Sequence, residues 1–253
     1  MNIPDEHILT NEHAEHLYHK FVVKDKNYFK RFSLLQEAFS EQEFAAYTNF
    51  DPPRVVSLID FKEWIIKHGI ATGENLLSTC TSDPELKYLI YKNQTMVSFP
   101  PYDLHKLNIE KKNFDFVVFN QTIEHLHSPW IALRRLYEHL RIGGYLYTTA
   151  PTINIPHLTP IHFNGYTPTG LCALMVTSGF EICECGYWGN KKYMDFIFRT
   201  GNWPNYTDVL DDKGLLTYDP ICQAQTWVCS KVSKACLHAF LLISTLISLF
   251  ETR

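Results

Sequence analysis

From residue 75 onward, short apolar runs and helical periods take turns, and no other feature of the chain restricts its fold as much. "NLLST" (75–79) reads as a strand, "DPELKYLIY" (83–91) as a helix opened by Pro84 after Asp83, and "TMVSF" (95–99) as a second strand. "FDFVVFN" (114–120) follows, then "PWIALRRLYEHL" (129–140) as a helix begun by Ser128 and Pro129. After the Gly143-Gly144 turn come the strand "GGYLYTTAP" (143–151), the helix "TPTGLCALMVTSG" (167–179) and the strand "FEICECGYW" (180–188). Such alternation calls for right-handed crossovers, which build an α/β, mainly parallel sheet with helices on both faces. "FDFVVF" is apolar throughout because a central parallel strand is buried on both faces, and it turns polar at Asn120 and Gln121, where it emerges. Ligands of such sheets bind at the carboxyl ends of the strands, which sets Ser78, Asn120 and Pro151 along one rim.

The first 72 residues differ. "YFKRFSLLQEAFSEQEFAAY" (28–47) is apolar at steps of three and four, as an amphipathic helix is, and "DFKEWIIKHGI" (60–70) reads as another with Asp60 as N-cap and Gly69 near its end. The expected organisation is an N-terminal helical lobe over 1–72, the sheet domain over 73–231 and an apolar tail helix over 232–253. The tail run "ACLHAFLLISTLISLF" (235–250) has sixteen residues, short of the roughly 20 that span a bilayer. It reads as a core-packing or subunit-contact helix, with contact to a membrane surface the weaker alternative.

Composition removes several function classes. A net charge of -4, from 23 basic and 27 acidic residues spread along the chain, leaves no basic stripe for a phosphate backbone, so nucleic acid is not an expected partner. Seven cysteines without framework spacing read as reduced, mostly packed thiols. "MNIPDEHILT" has no apolar core of a secretory signal, so the expected compartment is the cytoplasm and the Asn-x-Thr triplets at Asn93, Asn120 and Asn205 are chance matches.

"FDFVVFNQTIEHLHSPWIALRRLYEHLRIGGYLYTTAP", followed by "HFNGYTPTGLCALMVTSGFE", resembles the class I S-adenosylmethionine-dependent methyltransferases over about residues 75 to 200. The resemblance implies a Rossmann-like domain, S-adenosylmethionine as cofactor and methyl transfer as the reaction. In "PPYDLHKL" it sets Asp103, with Leu104 beside it, where the adenine amino group is received; on its own chemistry Asp103 is equally a turn or helix cap. The family's acid and glycine-rich loop falls on "LLSTCTSDPEL" (76–86), which has no glycine. Ser78 stands where the acid would be, and Cys80, Ser82 and Pro84 take the glycine places, although Pro84 has no amide hydrogen to offer. The acid that would grip the ribose is absent, with Ser98 nearest. The resemblance therefore carries Ser78, Cys80, Ser82, Asp103, Leu104, Asn120 and Gln121 as cofactor-binding residues. The glycine-free loop also supports a rival: a catalytically inactive methyltransferase-like protein that serves as a binding or partner subunit.

Methylating a hydroxyl requires an acceptor held in line with the methyl group and a base for its proton. His125 is the candidate base, and Glu124 and His162 complete the catalytic set. Glu124, His125 and His162, with His157 near, would also serve as ligands of a divalent ion. Gln121, a neutral amide where an acid is wanted, disfavours that scheme. The structural alternative has Glu124 capping the helix near Pro129 and His125 as a satisfied polar residue under the loop. The long segment 152–170 follows the strand at the active edge, and such loops are commonly functional. Phe163, Tyr166 and "GYWGN" (186–190) offer an aromatic wall for a small-molecule or sugar acceptor, while Trp188 is as well suited to the core. "CGYWGN" with "YDLH" resembles methyltransferases of bacterial or viral surface-glycan pathways, which biases the acceptor toward a sugar hydroxyl.

Overall fold

The structure, a computed structural model, describes residues 9–110, 113–158 and 161–233. Among these residues five α-helices precede the first strand: α1 (Asn11–Leu17), α2 (Lys26–Lys30), α3 (Leu35–Ala38), α4 (Glu41–Tyr47) and α5 (Pro52–Lys67). Six strands follow, β1 (Thr72–Ser78), β2 (Ile90–Met96), β3 (Phe114–Asn120), β4 (Leu140–Pro151), β5 (Glu181–Trp188) and β6 (Gln225–Lys231), together with α6 (Pro129–His139), α7 (Pro168–Thr177) and α8 (Lys191–Thr200).

The strands form one sheet in the order β2-β1-β3-β4-β6-β5. β1 runs parallel to β2 and β3, and β3 parallel to β4, while β6 is antiparallel to both β4 and β5. On one face Phe61 and Trp64 of α5 meet Phe116 and Tyr147, with ring centroids 4.7 Å apart for Phe61 and Tyr147. The alternate positions Val117, Phe119, Leu146 and Val228 are equally buried, and α6 and α7 pack against β4, β5 and β6. A sheet covered on both faces keeps β3 apolar along its length and brings its polar end to the rim, as the sequence indicates. The helices before residue 72 share one continuous core with the sheet.

Several local expectations are corrected. Residues 28–47 are not one helix: the chain turns through 3₁₀ geometry at Arg31–Leu34, breaks at the extended Phe39, and restarts at Ser40 with a capping box to Glu43. Asp60 is no N-cap. α5 begins eight residues earlier at Pro52, and Asp60 lies inside it, fully buried, accepting from Tyr28 Oη (2.7 Å), Trp227 Nε1 (2.8 Å) and Arg31. Residues 83–91 form only a short 3₁₀ turn, Pro84–Tyr88, because Leu89 and Tyr91 point inward while Ile90 faces solvent, which is strand periodicity. β6 and α8 have no counterpart in the sequence reading.

The Gly143-Gly144 pair does work as a turn within β4. Gly143 has a φ of +76°, and a Cβ on Gly144 would sit 2.9 Å from the carbonyl oxygens of Phe114 and Arg141. Among the described residues the six cysteines are free and no helix is long and apolar enough to cross a membrane. The tail expectation for 232–253 lies, from residue 234 on, outside the described residues.

Candidate functional site

β1, β3 and β4 end side by side at Ser78, Asn120 and Pro151, and a cavity of about 790 Å³ opens over the β1 and β3 ends. Its walls come from the loop after β1, the segment after β2, the turn after β3, and Leu158, Ile161 and Phe163. Cys80 and Ser82 line it without closing it, and Pro84 is buried outside it. The volume is ample for a small-molecule ligand.

The turn after β1 is built without glycine by a side chain. Ser78 Oγ donates to the Cys80 carbonyl (2.8 Å) and accepts from the Cys80 amide (3.3 Å), closing a tight loop at the strand end. Ser78 itself is fully buried beneath the loop and does not reach the cavity, so it shapes the site from behind. Cys80 and Ser82 project toward the cavity, 3.3 Å apart through Sγ and Oγ.

β3 delivers the next two residues. Asn120 is buried, with Oδ1 accepting from Thr149 Oγ1 at 2.6 Å, which leaves its amide NH₂ to face the carboxyls of Asp83 and Glu85. Gln121 has a φ of +42°, a left-handed conformation uncommon for a side-chain-bearing residue. Thr149 stabilises it: the Gln121 amide donates to Thr149 Oγ1 and O at 3.2 Å each, and its Nε2 to Oγ1 at 3.1 Å. Such outliers gather where a chain must aim groups at a ligand.

Asp103 lines the cavity and also caps a turn. One oxygen, Oδ1, accepts from the His105 amide (3.0 Å) and ring Nδ1 (2.7 Å), and the His105 partner holds its carboxyl below the usual range. Leu104 follows it as a mostly buried apolar wall. His105 stacks on His127 with centroids 4.1 Å apart, and both line the cavity.

His125 faces the cavity from the turn Ile123–His125. Its Nδ1 lies 3.0 Å from the Ile161 carbonyl, an oxygen that only accepts, so Nδ1 carries the hydrogen and Nε2 keeps a lone pair. Burial, and then the neighbouring His157 and His162, lower its pKa. Glu124 is 1% exposed, with Oε1 3.8 Å from His125 Nε2 and Oε2 without a hydrogen-bond partner. Burial pushes its carboxyl up to about 8, so it is protonated at neutral pH. It does not cap α6. Its carbonyl instead accepts from the amides of Phe163 (2.8 Å) and Asn164 (3.3 Å), which anchors the long loop to the site.

His162 stands one row back, 6.3 Å from His125 between centroids and absent from the cavity wall. Its ring nitrogens face the carbonyls of Asn164 (3.0 Å) and Ile155 (3.4 Å). A protonated Glu124, a His162 turned to carbonyl oxygens and the amide of Gln121 do not suit a divalent ion, and among the described residues no cluster of three ligating side chains occurs. Phe163, half exposed, lines the cavity as expected, whereas Trp188 is fully buried and donates to the Thr217 carbonyl in the core.

The sequence reading passed over Arg54, Asp83, His105 and His127 on the cavity wall. Arg54 follows Pro52 and Pro53 at the start of α5, and its Nη2 reaches Asp83 Oδ1 at 3.4 Å. Asp83 and Glu85 are both buried, and burial drives both carboxyls up, Asp83 to about 7. Two acids one residue apart in the loop were the available signal, but charged loop residues read by default as solvated.

A family model described as a methyltransferase domain matches residues 33–184, more than half of the chain. Among solved structures, an S-adenosylmethionine-dependent methyltransferase from Clostridium acetobutylicum is 9% identical, covering 79% of this chain and 95% of its own, with a TM-score of 0.45. One from Mesorhizobium loti is 11% identical, covering 67% and 97%, with a TM-score of 0.41. No curated protein matches the sequence.

Proposed function

The chain belongs to the methyltransferase-domain family, and from that premise we propose that it is an S-adenosylmethionine-dependent O-methyltransferase acting on the hydroxyl of a small molecule or glycan. The observation that carries this reading is His125: a cavity-lining imidazole at the carboxyl ends of β1 and β3, with Nδ1 held by the Ile161 carbonyl and Nε2 keeping its lone pair.

The residues present fit the cofactor. The loop that lacks glycine leaves the cavity open, and Asp83, whose buried Oδ2 has no hydrogen-bond partner among the described residues, lines it and suits a cationic ligand. Asp103 Oδ2 is left for an exocyclic amine once Oδ1 has capped the turn, Leu104 offers an apolar wall, and Cys80, Ser82 and Gln121 line the rest of the cavity. When bound, S-adenosylmethionine supplies an electrophilic methyl group on a sulfonium. His125 Nε2 takes the proton of the acceptor hydroxyl, and the Ile161 carbonyl holds the ring in that tautomer. Phe163, fixed through the Glu124 carbonyl, gives the acceptor an aromatic face.

Transfer of a labelled methyl group to a panel of hydroxyl, amine and thiol acceptors tests the proposal. Label on hydroxyl acceptors supports it; label on amines alone overturns the O-methyl assignment. Absence of transfer to every acceptor, with no cofactor bound, supports the inactive partner-binding reading instead.

A further inference from the structure

Two buried carboxyls lie within each other's electrostatic field beside the cavity, and among the described residues Arg54 is the cation that acts on both. Asp83 is 4% exposed and lines the cavity; Glu85 is 1% exposed and lies behind it. Arg54 of α5 approaches Asp83 Oδ1 at 3.4 Å, while Asp83 Oδ2 and Glu85 Oε2 have no hydrogen-bond partner among the described residues. The other groups facing the pair are Cys80 of the same loop, the Asn120 amide of β3, Tyr47 of α4 and Tyr147 of β4. Glu124, after β3, is a third buried carboxyl within the field of the same guanidinium. None of these brings a second cation. Both carboxyls cannot stay ionised in so little water, so the ligand-free pair holds a proton. A cation held in the cavity beside Asp83 would take that proton's place.

We propose that the Asp83–Glu85 pair reads the charge of the methyl donor, binding the cationic donor with release of a proton to solvent and discriminating against the uncharged sulfur of the spent product. The inference rests on the methyltransferase reading above. In the transfer, the acceptor oxygen forms a bond to the methyl carbon as the carbon–sulfur bond breaks, and sulfur keeps the electron pair and becomes neutral. The hydroxyl proton goes to His125 Nε2 and then to solvent. With the positive charge gone, the carboxyl pair takes one proton back from solvent, and product leaves a site that no longer needs it. The burial that raises Asp83 to about 7 sets this exchange near neutral pH.

Calorimetric titration of the full chain with S-adenosylmethionine and with S-adenosylhomocysteine, at pH 6 and pH 8 in two buffers of different ionisation heat, counts the protons directly. The expected result is about one proton more released with the donor than with the product at pH 6, falling toward none at pH 8, and a donor-over-product affinity ratio that rises up to ~tenfold for each unit by which pH is raised toward 7 and levels off above it. Asp83→Asn should abolish the extra proton and weaken donor binding about tenfold, leaving product binding within about twofold. Glu85→Gln, a milder change behind the wall, should reduce the proton count while melting curves of both variants report folding. Equal proton counts and equal pH slopes for the two ligands overturn the inference and leave the methyltransferase reading intact. Failure of both ligands to bind overturns the reading and the inference together.

Discussion

His125 Nδ1 sits 3.0 Å from the carbonyl oxygen of Ile161, and this one contact from the long loop decides which imidazole nitrogen is free to act as base. If Nε2 removes the acceptor proton, His125→Ala should lower turnover on the order of 10²-fold or more. Because burial lowers the pKa of His125, the base form already prevails at neutral pH. The rate should therefore rise with pH below the ordinary histidine value of ~6.5 and be flat above it. A turnover unchanged in the alanine variant removes His125 from the mechanism.

Glu124 predicts a pH dependence of stability. Its folded carboxyl is raised to about 8, above its unfolded value, so the folded chain holds the proton more tightly. That contribution is complete below the unfolded value of ~4.3 and is lost as pH rises through 8, at about 1.4 kcal/mol for each pH unit in which only the folded state keeps the proton. Urea denaturation of ligand-free protein between pH 5 and pH 8 should show stability falling, and Glu124→Gln should flatten the slope. Equal slopes in the two proteins would contradict this.

Asp60 ties three segments together by accepting from Tyr28, Arg31 and Trp227 at a fully buried position. Removing the acceptor leaves the buried Trp227 indole and the Tyr28 hydroxyl without an acceptor and takes from Arg31 its buried counter-charge, leaving it Glu63 alone, so Asp60→Ala should cost about 3–5 kcal/mol. Tyr28→Phe, which removes one donor and keeps the ring packing, should cost about 1–3 kcal/mol. Denaturant midpoints check both. A loss under about 1 kcal/mol for Asp60→Ala would mean the network does not hold α2 to the sheet.

β3 was readable because burial on both faces writes Phe116–Phe119 as one apolar run with a polar exit at Asn120, the half-buried Asp115 standing near its entry. α6 was readable from Pro at its first turn and its apolar period, and α7 from Pro168 at its first turn and the Gly179 that follows its end. β6 was not: it returns antiparallel after an irregular stretch, and "QTWVCSK" carries no turn signal that announces it. Asp60 misled because an acid before an apolar run resembles a cap, whereas its place is set by partners 29 to 167 residues away. At the site, His125, Asn120 and Gln121 were legible because they follow a buried strand. Asp83 and Arg54 were not, since their burial comes from the packing of α5 over the loop after β1, which no local pattern records.

Phe163 lines the cavity, half exposed and held by its amide to the Glu124 carbonyl. Phe163→Ala should raise the acceptor KM about tenfold with kcat little changed, since a stacking face contributes to binding before and during transfer alike. An unchanged KM would place the acceptor elsewhere.

Equilibrium titration of the full chain with S-adenosylmethionine tests the central claim most directly, because everything else depends on the cavity over β1 and β3 admitting that molecule past a loop without glycine. The account expects saturable binding of one molecule per chain, lost on occupation by S-adenosylhomocysteine. No detectable heat at millimolar concentration would contradict it and leave a methyltransferase fold that does not bind the methyl donor.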